Sequence, residues 1–298
     1  MRAFLCLIVL LCLIHPVFAQ GVHWQADVPL LDCDGTPCVE VKLSDGVARF
    51  GIDTGNAASV LDTKRATDLG LKPSAPPKPG TPAGMFRSSV SLSLGDVSLQ
   101  NLSIVVMDLS DPIAQKQMPH VAGTLAYPAF KDRILQFDFI AHRMRVSAPL
   151  ESSATCPEPC DSFTLIKFGE HGPPIVVANG FMINGHPVAA QIDTMFTGSM
   201  LIYSAAIEKV GLSIQAKSTT LRNFALTDGG VQMKQADSNS EKFHNLAFGP
   251  GKVYFPTQGV HEPDGLFEAT VGLELFRNSV LMLDFHDRKI SLQRNSRS

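Results

Sequence analysis

The stretch Phe50-Gly-Ile-Asp53-Thr54-Gly55 returns further along the chain as Ala190-Gln-Ile-Asp193-Thr194-Met195. In both places an Asp-Thr pair directly follows a short apolar run of strand type. Each pair opens a longer shared pattern of Asp-Thr, four residues, Ser, an apolar residue and Leu, from Asp53 to Leu61 and from Asp193 to Leu201. The chain reads as one unit written twice.

The flanks agree with this. Upstream, Ser44-Asp45-Gly46 and Ile183-Asn184-Gly185 carry Asp-Gly and Asn-Gly turn signals, which favour tight β-hairpins. The strand after each turn then ends at the Asp. Downstream, Asp62 is placed to cap a short helix over Thr63 to Leu69 before Gly70, and Ser204 one over Ala205 to Val210 before Gly211. The span from Asp to closing Gly is 17 residues in the first copy and 18 in the second. A third landmark is Val121-Ala122-Gly123, matched to Thr270-Val271-Gly272. The tails also match: Arg133-Ile-Leu-Gln-Phe-Asp138-Phe against Ser279-Val-Leu-Met-Leu-Asp284-Phe, each followed by a turn, a basic residue and an apolar residue. Self-similarity over so long a period implies two fused domains of one fold and not a solenoid.

Composition fits two such domains. The chain has 298 residues, 45% of them hydrophobic, in short runs broken by Gly and Pro. That pattern predicts a β-rich protein. The formal net charge is −3 with no basic stripe, so nucleic acid is not an expected partner. Residues 1–19 combine Arg2, the apolar run Ala3 to Ile14 and the small-residue ending Val17-Phe18-Ala19, which together read as a secretory signal peptide. The apolar run is shorter than the ~20 residues a membrane span needs; a retained anchor is the competing reading. The expected order is a signal peptide over 1–19, a first lobe over 20–150, a connection over 151–162 and a second lobe over 163–298. The mature protein is expected to be secreted or periplasmic, with no stable membrane insertion.

Cys33, Cys38, Cys156 and Cys160 remain after the signal peptide. Four cysteines allow three connectivities. The two local pairs are favoured, because Asp34-Gly35-Thr36-Pro37 and Pro157-Glu158-Pro159 are chain-reversing segments that bring the Cα atoms within disulfide reach. A zinc ribbon is the alternative, disfavoured in an oxidising compartment. The nine histidines show no metal-ligand spacing, and no metal or cofactor is expected.

On the doubled Asp-Thr loops, the apolar-Gly landmarks and the matching tails, the chain resembles the retropepsin-like and pepsin-like aspartyl proteases, and among them the bacterial type with short lobes. The resemblance runs from about Leu31 to Leu292. It implies an all-β fold with short helices, built of two pseudo-symmetric lobes, each a small closed barrel-like β-domain. It also implies an aspartic endopeptidase acting on peptide or protein substrates. Both half-sites lie on one chain, so a monomer suffices. Asp53 and Asp193 take the catalytic positions. Thr54 and Thr194 are implied to hydrogen-bond across the lobe interface, and Gly55 to leave its backbone free to approach a carboxylate. A flap is implied between the helix and the later strands, with Gly84, Met85 and Phe86 in the first copy and Asp228-Gly229-Gly230 in the second as candidates.

Two carboxylates in one site cannot both ionise cheaply, so a proton is held between them. The charged one can draw a proton from water while the other donates. Met195 stands where the family has Gly. Either Phe196-Thr197-Gly198 supplies the missing freedom and the site is intact with altered geometry, or the protein binds peptides without cutting them. Asp138 and Asp284, in Phe-Asp-Phe and Leu-Asp-Phe contexts, are expected to end strands before hairpins.

Overall fold

A computed structural model describes residues 22–76, 80–109, 121–150, 155–167, 174–212, 218–221, 231–256, 263 and 265–294. The signal-peptide reading and the second flap candidate, Asp228-Gly229-Gly230, lie outside these residues.

The first lobe contains β1 (Trp24–Pro29), β2 (Leu31–Cys33), β3 (Thr36–Leu43), β4 (Gly46–Ile52), β5 (Ser59–Asp62), α1 (Thr63–Asp68), β6 (Phe86–Leu94), β7 (Val97–Met107), β8 (Gly123–Leu125), β9 (Ile134–Asp138) and β10 (Arg143–Ser147). The second contains β11 (Cys160–Lys167), β12 (Pro174–Ile183), β13 (His186–Ile192), β14 (Met200–Ile202), α2 (Ser204–Ile207), β15 (Ser218–Leu221), β16 (Val231–Phe243), β17 (Leu246–Pro256), β18 (Ala269–Val271), α3 (Leu273–Phe276), β19 (Ser279–Asp284) and β20 (Lys289–Arg294). Strands dominate and the helices are short, as the sequence predicts.

Strand pairing shows the duplication directly. In the first lobe β3-β4-β8-β5-β7-β6 pair in that order, and a bridge between Lys42 and Ser93 brings β6 back to β3. In the second, β12-β13-β18-β14-β17-β16 pair in the same order, and β16 returns to β12 through Phe181–Phe243. Each lobe is therefore a closed six-stranded barrel, which leaves its ring without an open edge. Alternation of side chains fills each barrel: Val39, Val41, Phe50 and Ile52 point into the first, Phe181, Ile183, Val188 and Ile192 into the second, all buried. The Asp-Gly and Asn-Gly hairpins form as expected, with Leu43 opposite Gly46 and Ile183 opposite His186.

A second layer joins the lobes. The strands β1-β10-β9-β19-β20-β11 form one antiparallel sheet. Its central pair, β9 and β19, sets Gln136 opposite Met282. These two residues occupy the same place in the matching tails, so the pseudo-two-fold axis passes between them. Asp138 and Asp284 close their strands and accept backbone N–H bonds from the turns that follow. Rings from both lobes interlock beneath the barrels, Tyr127 against Phe285 at 5.2 Å and Phe139 against Phe276 at 6.4 Å. The cysteines form the two local disulfides, Cys33–Cys38 and Cys156–Cys160, each with Cα atoms 5.9 Å apart.

Three details of the sequence alignment are corrected. Backbone pairing sets Phe50 against Gly123 and Ala190 against Ala269, so Gly123 corresponds to Ala269, and Gly272 to Ala126. The bonds Asp53 N to Leu125 O and Asp193 N to Val271 O confirm that register. Next, Asp62 N bonds Ala122 O while Tyr203 N bonds Glu268 O, which makes Tyr203 the counterpart of Asp62. The loop after the Asp is thus one residue longer in the second lobe, and Ser59 corresponds to Met200, not to Ser199. Finally, Asp62 caps α1 through Lys64 N and Arg65 N, but Ser204 is the first residue of α2, whose cap position is Tyr203, with no side-chain cap bond.

Candidate active site

Asp53 and Asp193 each stand one residue beyond a barrel strand, β4 and β13, held by the parallel neighbours β8 and β18. The sequence puts an apolar residue, Ile52 or Ile192, just before each, and its burial anchors the strand end in the barrel. The chain must then turn. Backbone N–H groups at the turn point back at the carboxylates: Met195 N and Phe196 N donate to Asp193 Oδ1 at 2.8 and 3.0 Å. Gly55 and Asn56 do the same for Asp53. Asn56 Oδ1 accepts from Ala58 N at 3.2 Å, so its NH2 edge is the one that donates to Asp53.

The two loops are locked together by their threonines. Thr54 N donates to Thr194 Oγ1 at 3.2 Å, and Thr194 N donates to Thr54 Oγ1 at 3.1 Å. Each hydroxyl then donates across the interface, Thr54 to Ile192 O at 2.9 Å and Thr194 to Ile52 O at 2.5 Å. Both side chains are buried, so each bond replaces water that is no longer there. This reciprocal pattern fixes the separation of the strand ends that carry the carboxylates.

Gly55 is required by contact. A Cβ built on it would lie 2.3 Å from Asp193 Cγ and 2.5 Å from Oδ2. The Asp193 carboxyl rests on the Gly55 backbone, which brings the two half-sites together. Gly123 is required in the same way, because its Cβ would lie 2.1 Å from Val60 O.

Met195 does not mirror Gly55 into the site. Its side chain is buried and packs in the first lobe with Val60 and Leu109, against Met107 and Val121. A Cβ on Gly51 would stand 3.0 Å from the Met195 sulfur and 3.3 Å from its methyl. The space for Met195 is therefore supplied by a glycine on the opposite lobe. Gly51 corresponds to Gln191, and there the arrangement inverts: Gln191 has a side chain, and Gly55, which faces it, has none. Sequence inspection passed over both residues. The available signal was a polar Gln in an otherwise apolar strand end.

Burial and mutual repulsion decide the electrostatics. Asp53 is raised far above the carboxylate range, first by burial and then by the charge of Asp193. Asp193 is raised too, by burial, against the pull of its two N–H donors. The pair therefore keeps a proton at pH values where isolated carboxylates have lost theirs, and its titration belongs to the dyad as a whole.

Of the flap candidates, Gly84 is exposed, Met85 is half-buried, and Phe86 opens β6 with its ring packed on the first-lobe core. The segment before it is pinned alongside, Ser74 N to Arg87 O at 2.8 Å and Ser88 Oγ to Lys72 O at 2.8 Å.

A family model described as aspartyl protease matches residues 39–125, the first barrel from β3 to β8, and this span includes Asp53. No curated protein sequence matches the chain. Among solved structures, the crystal structure of edgp matches with a TM-score of 0.50 at 8% identity, over 90% of this chain and 94% of that one. An aspartic proteinase from Irpex lacteus matches with a TM-score of 0.48 at 12% identity, over 91% and 97%. At 8% identity the likeness to the first is one of fold. One barrel is thus similar in sequence to the aspartyl protease family, and its twin delivers the same Asp-Thr pair to the same interface.

Proposed function

We propose that the protein is an exported aspartic endopeptidase that hydrolyses peptide bonds with a water activated between Asp53 and Asp193. The observation that carries this reading is the interlobe lock: reciprocal Thr54–Thr194 bonds at the base of two half-buried carboxyls, both of which desolvation raises above the usual carboxylate range. Two disulfides support export.

In this reading the charged member of the dyad takes a proton from the bound water. The hydroxide so formed attacks the scissile carbonyl carbon, while the protonated member donates toward the carbonyl oxygen. Collapse of the tetrahedral intermediate expels the amine, which receives a proton from the dyad. Burial supports this exchange, because a low-dielectric site holds the shared proton instead of releasing it to bulk water. The chain works alone, since each lobe supplies one carboxyl. The segment Gly84-Met85-Phe86, at the start of β6, is the proposed cover, and apolar side chains flanking the cut are the proposed preference.

The test is digestion of an unbiased peptide mixture from about pH 3 to pH 7, beside an Asp53→Asn control. Cleavage that the control lacks supports the dyad mechanism. Absence of cleavage at every pH, from folded protein, would replace this reading with a peptide-binding role.

A further inference from the structure

Gln191 reaches across the lobe interface, and its Nε2 donates to Gly55 O at 2.7 Å. Its Oε1 accepts from Thr270 Oγ1 at 3.1 Å, and Thr270 Oγ1 lies 3.1 Å from Tyr203 OH. A carbonyl oxygen only accepts, which fixes the amide orientation of Gln191. Thr270 spends its single hydroxyl proton on Gln191, so the Tyr203 hydroxyl donates to Thr270. The result is a one-way chain from Tyr203 through Thr270 and Gln191 to Gly55 O. All three side chains are at least nine-tenths buried, with Gln191 8% exposed, Thr270 1% and Tyr203 5%. Aligned bonds in such surroundings polarise one another.

The chain ends on an informative atom. Gly55 O and Asn56 N belong to one peptide plane, and Asn56 N is among the groups that hydrogen-bond Asp53. Fixing the carbonyl edge of that plane fixes its N–H edge. The equivalent positions in the first lobe lack the chain entirely. Asp62 stands for Tyr203 and is committed to capping α1, Gly51 stands for Gln191, and the buried Thr124 hydroxyl that stands for Thr270 has no hydrogen-bond partner. The relay is thus one-sided.

We propose that Gln191, oriented by Thr270 and Tyr203, is a positioning residue of the dyad that holds the Gly55–Asn56 peptide, and through it Asp53, from the opposite lobe. This rests on the endopeptidase reading for its kinetic readout but not for its structural one. Gln191→Leu removes the donor at similar volume. The expected result is a roughly tenfold to hundredfold fall in kcat with KM nearly unchanged. Gln191→Glu provides a sharper signature. Protonated, the Glu carboxyl donates to Gly55 O and restores activity at the acid end of the profile; ionised, it cannot donate, and activity falls again as pH rises. Thr270→Val should lower kcat less than Gln191→Leu and add nothing to it in the double variant.

Carboxyl titration by NMR of protein with 13C-labelled aspartate separates the two claims. Gln191→Leu should move the dyad titration upward by about half a unit or more, because the Asp53 carboxylate loses fixed donors. An unmoved titration would overturn the relay, as would a Gln191→Glu variant whose activity follows Gln191→Leu at every pH. If the wild-type protein cleaves no peptide, the endopeptidase reading fails, and the titration alone decides: a shift supports the relay and no shift overturns it.

Discussion

A methyl group added to Gly55 has nowhere to go. Gly55→Ala would place carbon against the carboxyl carbon of Asp193, and that carboxyl would have to move. The expected outcome is loss of cleavage together with about 1–3 kcal/mol of stability, measured by peptide turnover and denaturant midpoint. Met195→Gly tests the opposite half. Its side chain fills a buried cluster in the other lobe, so its removal should cost roughly 2–5 kcal/mol without raising kcat. A gain in turnover at unchanged stability would instead make Met195 an obstruction. At this scale the sequence was readable for Asp53, Asp193 and the threonines, because their chemistry announces itself in the Asp-Thr pairs. It was not readable for Gly51 and Gln191. Their roles depend on which residue of the other lobe faces them, and no spacing along one chain encodes that.

The elements were more legible than their alignment. Turn residues and apolar alternation placed both hairpins, and Asp62 declared itself as a cap. The equivalence drawn between Ser59 and Ser199 misled, because two short loops of unequal length share the same letters. Ser59 Oγ accepts from Ala126 N, whereas in the second lobe the backbone oxygen of Ser199 accepts from Gly272 N. One added residue exchanges a side-chain acceptor for a main-chain one. Asp62 serves two partners: Oδ1 caps α1, and Oδ2 accepts from Leu109 N at 3.0 Å. Asp62→Ala should therefore cost more than the roughly 1 kcal/mol of an ordinary cap. Urea unfolding beside Asp62→Asn would show this, since the amide retains one acceptor.

Over the whole molecule, burial of acids sets the response to pH. Asp53, Asp193 and Glu241 all have folded-state pKa values raised above their unfolded ones; Glu241 is 3% exposed and pushed up from 4.5 to about 7 by burial. A carboxyl raised in the folded state favours folding below its unfolded pKa and loses that contribution as pH climbs through the folded value. Stability is thus expected to decline between about pH 4 and pH 8. Glu241→Gln should be near neutral at pH 4 and stabilising by on the order of 2 kcal/mol at pH 8, read as a change in Tm at the two pH values. The pseudo-two-fold arrangement was visible in the matching tails, whereas the closure of each ring was not. Lys42–Ser93 and Phe181–Phe243 join strands far apart in sequence, and neither pair has a local signature.

The exchange of Gly51 and Met195 for Gln191 and Gly55 also constrains the history open to this chain. Two copies of the first half, facing one another, would set glycine against glycine and leave a hollow beside each carboxyl. Two copies of the second would drive methionine into glutamine. Each half is shaped as the other's complement, so neither half paired with a copy of itself would reproduce this interface.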